Sequence, residues 1–242
     1  MDNARILTSG DSAVTIEFGN EISPEINRRI STVVKIIRSQ NIEGIRDMIP
    51  AFCSLLISYD PRIISYKKLT DRLRPILHAE VSDEEAPRRV FEIPTCYGGE
   101  LGPDLPFVAE HAGLTEQEVV KLHSGRDYLI YMLGFLPGFT YLGGLDQRLF
   151  TPRLATPRLV IPAGSVGIGG QQTGIYPLDS PGGWQLIGKT PVRTYDPDRE
   201  PPILVSAGDY IRFVPVSPRE YEEIEDLVNR GCYTVTVREG GE

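Results

Sequence analysis

PAGSVGIGGQQTGIYPLDSPGGWQLIGKTP, residues 162–191, decides the architecture of the carboxyl-terminal half of this chain. Eight of its thirty residues are glycine, too many for a helix and enough to leave part of a sheet without side chains. Val166 and Ile168, then Trp184 and Leu186, stand at the two-residue spacing of half-buried strands. Gly167 and Gly169 fall on the opposite face of the first strand, which is therefore bare backbone. Glycine inside a strand marks a bulge, a sharp bend, or the close approach of a ligand or another chain. Gln171, Gln172, Gln185 and Lys189 lie beside that surface. Two readings stand: a polar, glycine-floored seat for a small molecule, or a barrel corner in which glycine serves geometry alone.

The rest of the chain supports a two-part organisation. Residues 1–90 carry few glycines and prolines, residues 91–242 many, and the charged run 78–89 with Pro87 between them reads as a linker. The expected domains are 1–86 and 87–242. In the first, residues 13–18 alternate like a strand after a Gly10-Asp11-Ser12 turn. Ser23 and Pro24 open a helix as N-cap and first helical residue, with Ile26, Ile30, Val33, Val34 and Ile37 as its apolar stripe. Residues 44–50 and 54–59 read as a strand pair, and residues 65–74 as a second helix that Pro75 ends or kinks. This order predicts an α+β sandwich of ferredoxin-like type. In the second part, residues 89–96 read as a strand, residues 102–105 open a short helix, and Thr115 with Glu118 starts another through a capping box. From Tyr128 on, short apolar strands between Gly/Pro turns predict a closed or nearly closed barrel. Residues 203–205 and 210–214 are expected to pair as a hairpin, with Asp209 capping its turn, before a last helix from Ser217.

The chain has 242 residues and a net charge of −8, which excludes a basic, sequence-independent nucleic-acid binder. No run approaches the roughly 20 apolar residues of a membrane span, and the start lacks the apolar run of a signal peptide. The three cysteines, Cys53, Cys96 and Cys232, are far apart and odd in number, as expected for a reducing cytoplasm. Cysteine and histidine spacings give no metal site.

Three motifs bear on chemistry. Residues 183–190, GWQLIGKT, fit the phosphate-loop expression, but Pro191 follows at once and residues 184–187 read as strand. The helix that a phosphate loop requires is therefore missing. Residues 128–145, YLIYMLGFLPGFTYLGGL, supply either an aromatic wall containing Phe135, Phe139 and Tyr141 or a core strand with a buried turn. Cys96 and His123 have the chemistry of a nucleophile and its base, but no spacing brings them together, and a buried thiol with a structural or exposed histidine is the simpler reading. Among the turn carboxylates Glu100, Asp104, Asp179 and Asp209, Asp179 flanks the candidate site.

Residues 96–105 (CYGGELGPDL), 131–145 (YMLGFLPGFTYLGGL) and 162–191, with 10–19 (GDSAVTIEFG) and 49–60 (IPAFCSLLISYD), resemble the family of 5-oxoprolinase B subunits, also called KipI-like or allophanate hydrolase subunit 1-like. The resemblance implies a carboxyl-terminal cyclophilin-like β-barrel. It also implies one subunit of an enzyme that opens 5-oxo-L-proline to L-glutamate with hydrolysis of ATP, assembled with A-type and C-type 5-oxoprolinase subunits as partners. Related modules belong to biotin-dependent urea carboxylases, and one branch inhibits a sporulation histidine kinase. Phosphorylating the lactam oxygen would make its carbon electrophilic, and such chemistry needs cationic or amide donors near the developing charge. Gln172, Lys189 and His123 are the expected acting residues, with Gly167, Gly169, Gly170, Gln171, Phe135 and Tyr176 around the substrate. The ATP site is not placed on this chain.

Overall fold

The computed structural model describes residues 4–21, 23–77 and 88–239, so most of the expected linker lies outside the described residues. The chain divides into two units, Met1–Ala86 and Pro87–Glu242. In the first, β1 (Arg5–Thr8) and β2 (Ala13–Glu17) form a hairpin, followed by α1 (Pro24–Gln40), β3 (Ile45–Pro50), β4 (Ser54–Tyr59) and α2 (Tyr66–Leu77). Alternation makes the sheet one-sided: Val14 and Ile16 on β2, and Leu55 and Ile57 on β4, are wholly buried. The Ser23 hydroxyl accepts from the Ile26 amide at 3.4 Å, fixing the start of α1. Ile30, Val33, Val34 and Ile37 of α1 join Leu69, Leu73 and Ile76 of α2 over that sheet. Pro75 sits in the last turn of α2, which runs two residues past it to Leu77 and so does not end there, although the missing N–H forgoes one helical bond.

The sheet order is β1-β2-β4-β3, all antiparallel. β4 is inserted between β2 and β3, the split crossover of the ferredoxin type. The edge beside β2, however, is held by β1, which precedes the crossover, rather than by a strand following α2. The ferredoxin-like order expected for this unit is thus not reproduced among the described residues. β1 is largely exposed and lacks apolar alternation, which is why the sequence does not announce it.

The second unit runs β5 (Arg89–Tyr97), α3 (Leu105–Ala112), α4 (Glu116–Ser124), β6 (Asp127–Leu133), β7 (Thr140–Gly143), β8 (Arg158–Ile161), β9 (Ser165–Gly169), β10 (Gln172–Ile175), β11 (Ser180–Gly182), β12 (Gln185–Lys189), β13 (Tyr210–Pro215), α5 (Pro218–Asn229) and β14 (Val237–Glu239). Strands pair in the order β12-β9-β10-β7-β6-β13-β5, and β5 returns to β12 through Tyr97–Gly188 and Cys96–Lys189. The result is a closed seven-stranded barrel, with β14 added to the outer side of β5 and β8 paired separately with β11. Ile93, Tyr128, Ile130, Leu142, Val166, Ile168, Ile175, Ile187, Ile211 and Phe213 fill the interior. Each such side chain stabilises the fold by about 1.5–3 kcal/mol relative to exposure.

The expected 203–214 hairpin does not form. β13 instead lies between β6, antiparallel, and β5, parallel. Asp209 is drawn into a two-pronged ion pair with Arg89 at 2.7 and 2.9 Å, and its carboxylate also accepts the Ser206 amide. Leu204 bonds back to Thr194. Strand partners from a distant part of the chain therefore displace the local one.

Candidate functional site

The outer faces of β9, β10 and β12 form one surface. Register places Gly167 opposite Gly174 and Gly169 opposite Gln172, so the glycines make a contiguous bare patch, as the sequence suggests. The patch is not open. The indole of Trp184, which immediately precedes β12, lies flat on it and is 4% exposed. A methyl group at Gly169 would overlap Trp184 Nε1 and lie 2.5 Å from Cε2; one at Gly174 would lie 3.1 Å from Cζ3. Phe139, Tyr176, Leu186 and Ile161 close around the ring. Phe139 meets Trp184 edge-on with ring centroids 5.5 Å apart, and meets Tyr176 at 5.2 Å. The glycines are present because an indole needs backbone-level approach, and the seat expected for a small guest at Gly167 and Gly169 is filled by the protein's own tryptophan. Tyr176, expected beside the substrate, is 2% exposed within the same cluster.

His123 is likewise placed elsewhere than expected. It is wholly buried inside the barrel beside Phe213, with ring centroids 4.5 Å apart. Thr173 Oγ1 donates to the Gly167 carbonyl at 3.1 Å, so it accepts from His123 Nε2–H at 2.7 Å. Nδ1 then accepts from the Tyr97 hydroxyl at 2.7 Å. Each donor in this chain of bonds has one acceptor, which fixes the neutral Nε2–H tautomer. Burial lowers the His123 pKa to about 3, with Arg126 adding to the effect. The imidazole ties α4 to the barrel and has no path to a bound molecule, so the acting role expected for it is withdrawn. A Cys96–His123 pair is also excluded. Tyr97 points inward to the histidine, and by strand alternation its neighbour Cys96 points outward. Burial raises the pKa of that thiol.

Gln172 and Lys189 are not neighbours. Gln172 pairs with Gly169 at one end of β9, whereas Lys189 pairs with Ser165 at the other. The four intervening steps separate them by about 13 Å at the usual strand rise. One lactam carbonyl cannot reach both. Lys189 packs its stem near Gly164, and Asp179 Oδ1 accepts the Ala163 amide at 2.8 Å, a turn-closing bond.

The accessible rim lies at the Gly170 end. Gly170 turns the chain at φ 66°, and Gln171 there is exposed. Phe135, 63% exposed, lies at the other end, in the turn that enters β7 beside Tyr176; it holds φ 67°, a conformation that L-residues rarely adopt, and its ring meets Phe139 at 5.6 Å. Reciprocal backbone bonds between Thr151 and Gly170, at 2.8 and 3.2 Å, bring residues 151–153 against the Gly170 end. Arg153 then reaches over the indole, its Cζ 5.8 Å from the ring centre. Arg158 lies on the same side but is engaged, bonding Asp104 Oδ1 at 2.7 Å and the Trp184 carbonyl at 3.3 Å. Asp104 in turn accepts the Leu186 amide at 2.6 Å, so this carboxylate fixes the entry to β12 instead of capping α3 with its side chain.

Residues 4–205 match the family described as Carboxyltransferase domain, subdomain C and D. The 5-oxoprolinase B subunit of Bacillus subtilis (strain 168) is 44% identical over 230 residues, covering 91% of this chain and 96% of the relative. The chain belongs to the family of 5-oxoprolinase B subunits. Among solved structures, TTHA0988 superposes with a TM-score of 0.76 at 40% identity; the match takes in 85% of this chain but only 40% of that longer one. The Kluyveromyces lactis urea amidolyase shares the fold over 97% of this chain, with a TM-score of 0.82 at 23% identity, and this chain spans 16% of its length.

The glycine run of this B subunit thus serves a tryptophan; sequence reasoning missed Arg153 and Arg158, and it took Asp104 for a turn carboxylate at the start of a helix. A signal for the arginines is present: Thr-Pro-Arg-Leu occurs twice in succession, at 151–154 and 156–159. Residues 183–190 do not suit a nucleotide triphosphate. Residues 185–189 are a barrel strand paired on both sides, and the Thr190 hydroxyl accepts the Val192 amide at 3.1 Å. No described helix is long and apolar enough to cross a membrane.

Proposed function

We propose that this chain is a subunit of an ATP-dependent 5-oxoprolinase complex, which breaks the lactam C–N bond of 5-oxo-L-proline with water to give L-glutamate. The observation that carries this reading is the 44% identity to the Bacillus subtilis relative, which extends over nearly the full length of both chains. ATP hydrolysis belongs to the complex, and no step through the nucleotide is assigned to residues of this chain. A-type and C-type 5-oxoprolinase subunits complete the enzyme, and the chain alone is inactive. The match to the carboxyltransferase-domain family sets the chain in a hydrolase and carboxylase lineage; nothing favours a histidine-kinase partner.

The Gly170–Gln172 end of the aromatic cluster supports substrate contact best. There the Gln172 side-chain amide is a donor within reach of a lactam oxygen, and the Trp184 indole beside Gly169 offers an aromatic edge. Lys189 acts on no carbonyl that Gln172 can touch. The test is reconstitution with the A-type and C-type partners and measurement of glutamate and ADP release. Turnover that depends on 5-oxo-L-proline and on this chain is expected, with a loss of roughly 10-fold or more in kcat/KM on Gln172→Ala. A wild-type complex without 5-oxo-L-proline-dependent ADP release refutes the function. A Gln172→Ala complex with full turnover refutes the site.

A further inference from the structure

Arg153 is exceptional among the described arginines of the barrel unit. The others each hold an ion pair or donate a hydrogen bond to a named acceptor. Arg153 does neither with any described residue, and it is exposed. Its position is nonetheless defined. The Thr151–Gly170 bridge fixes the backbone two residues before it, and the guanidinium sits over the indole of Trp184. Both Arg153 and Arg158 meet the same tryptophan, Arg153 with its Cζ 5.8 Å from the ring centre and Arg158 through the Trp184 carbonyl at 3.3 Å.

The donors gathered on that rim outnumber its acceptors. Trp184 Nε1–H, at the Gly169 edge, has no acceptor among the described residues, nor does the Gln172 amide. The carboxylate on this side, Asp104, is already consumed by Arg158 and the Leu186 amide. A free, planar, permanently charged fork beside two unpaired N–H donors and an aromatic wall matches a small molecule with a carboxylate on an apolar ring. On a chain of net charge −8, such a local surplus of donors also favours an anion over a cation.

We infer that Arg153 is the carboxylate-recognition residue of this chain, binding the ring carboxylate of the lactam substrate with its guanidinium while Gln172 faces the lactam amide. This rests on the 5-oxoprolinase reading and deepens it, since it says what distinguishes 5-oxo-L-proline from a lactam without a carboxylate. Arg153 touches substrate but takes no part in bond cleavage, so its signature is selectivity.

The experiment compares the reconstituted complex containing wild-type, Arg153→Gln or Arg153→Lys chains, with 5-oxo-L-proline and with 2-pyrrolidinone, the same ring lacking the carboxylate. The expected result is that Arg153→Gln reduces the preference for 5-oxo-L-proline, as a ratio of kcat/KM values, by roughly 10–100-fold, chiefly through KM, with partial recovery in Arg153→Lys. An unchanged preference overturns the inference. A complex that no longer assembles on size-exclusion chromatography with Arg153→Gln also overturns it, because the guanidinium then serves an acidic group of a partner. If the wild-type complex turns over neither lactam, the functional reading fails first, and the emission of Trp184 reports on the seat separately. A saturable change with 5-oxo-L-proline, absent with 2-pyrrolidinone and absent in Arg153→Gln, sustains carboxylate recognition; no Arg153-dependent change refutes it.

Discussion

Replacing Gly169 by alanine separates two meanings of a glycine-rich strand. If the glycines floor an open seat, a methyl group there touches nothing and leaves stability alone. In this fold the methyl would lie 2.5 Å from Trp184 Cε2 and nearer still to Nε1 and Cδ1, so the indole has to tilt or lift. Complete release of an aromatic side chain exposes on the order of 200 Å², and at about 25 cal/mol per Å² that bounds the cost near 5 kcal/mol. Partial tilting brings this into the range of overpacked cores, about 2 kcal/mol. Trp184 is the chain's single tryptophan, so urea unfolding followed by its emission reads this unit directly. With the usual urea dependence, the midpoint should fall by about 1 M. The native emission should also shift to the red. Gly183→Ala is the control, because its methyl would find nothing nearer than 3.6 Å, and it should stay within about 0.5 kcal/mol of wild type. Trp184→Phe should absorb most of the Gly169→Ala cost, read by circular dichroism as a coupling in a double-mutant cycle. A Gly169→Ala protein as stable as the control, with unshifted emission, would refute the packing role assigned to these glycines.

Other consequences concern the polar ties around this surface. Folded His123 resists protonation down to about pH 3, whereas the unfolded residue takes up a proton near 6.5. The unfolded state therefore binds more protons between these values, so stability should fall on acidification by up to about 1.4 kcal/mol per pH unit. Wild type minus His123→Gln, compared by urea midpoints from pH 7 to 4.5, should show that slope. Tyr97→Phe removes the donor to Nδ1 and should cost about 1–3 kcal/mol in the same assay, with little change above pH 7 in the shape of the transition. Asp104→Ala leaves the Leu186 amide without its acceptor and Arg158 with the Trp184 carbonyl alone, and should cost about 2 kcal/mol, measured as a lower midpoint of tryptophan emission.

Local sequence accounts for a large part of what was built. Ser23, Thr115 and Ser217 each cap the helix that follows, because a capping hydroxyl needs only partners three residues away. Alternation located β2, β4, β9 and β12, and Pro191 ruled out a phosphate loop, as strand β12 bears out. β1 escaped because an exposed edge strand carries no apolar period, and the 203–214 hairpin failed because β5 and β6 compete for the same backbone groups.

What the sequence by itself determined is the bare face of Gly167 and Gly169, since the two-residue repeat of a strand dictates which side each residue occupies. Only the tertiary structure decided what covers it. Trp184 is fifteen residues beyond Gly169 in the chain, and its indole meets the glycines through barrel closure, a contact that no local period encodes. The same closure turned His123 into a neutral core tie, parted Gln172 from Lys189 along β9, and delivered Arg153 to the rim through a single backbone bridge. Side-chain identity states which chemistry is available, but proximity between distant residues is settled by strand register and by the packing that register permits.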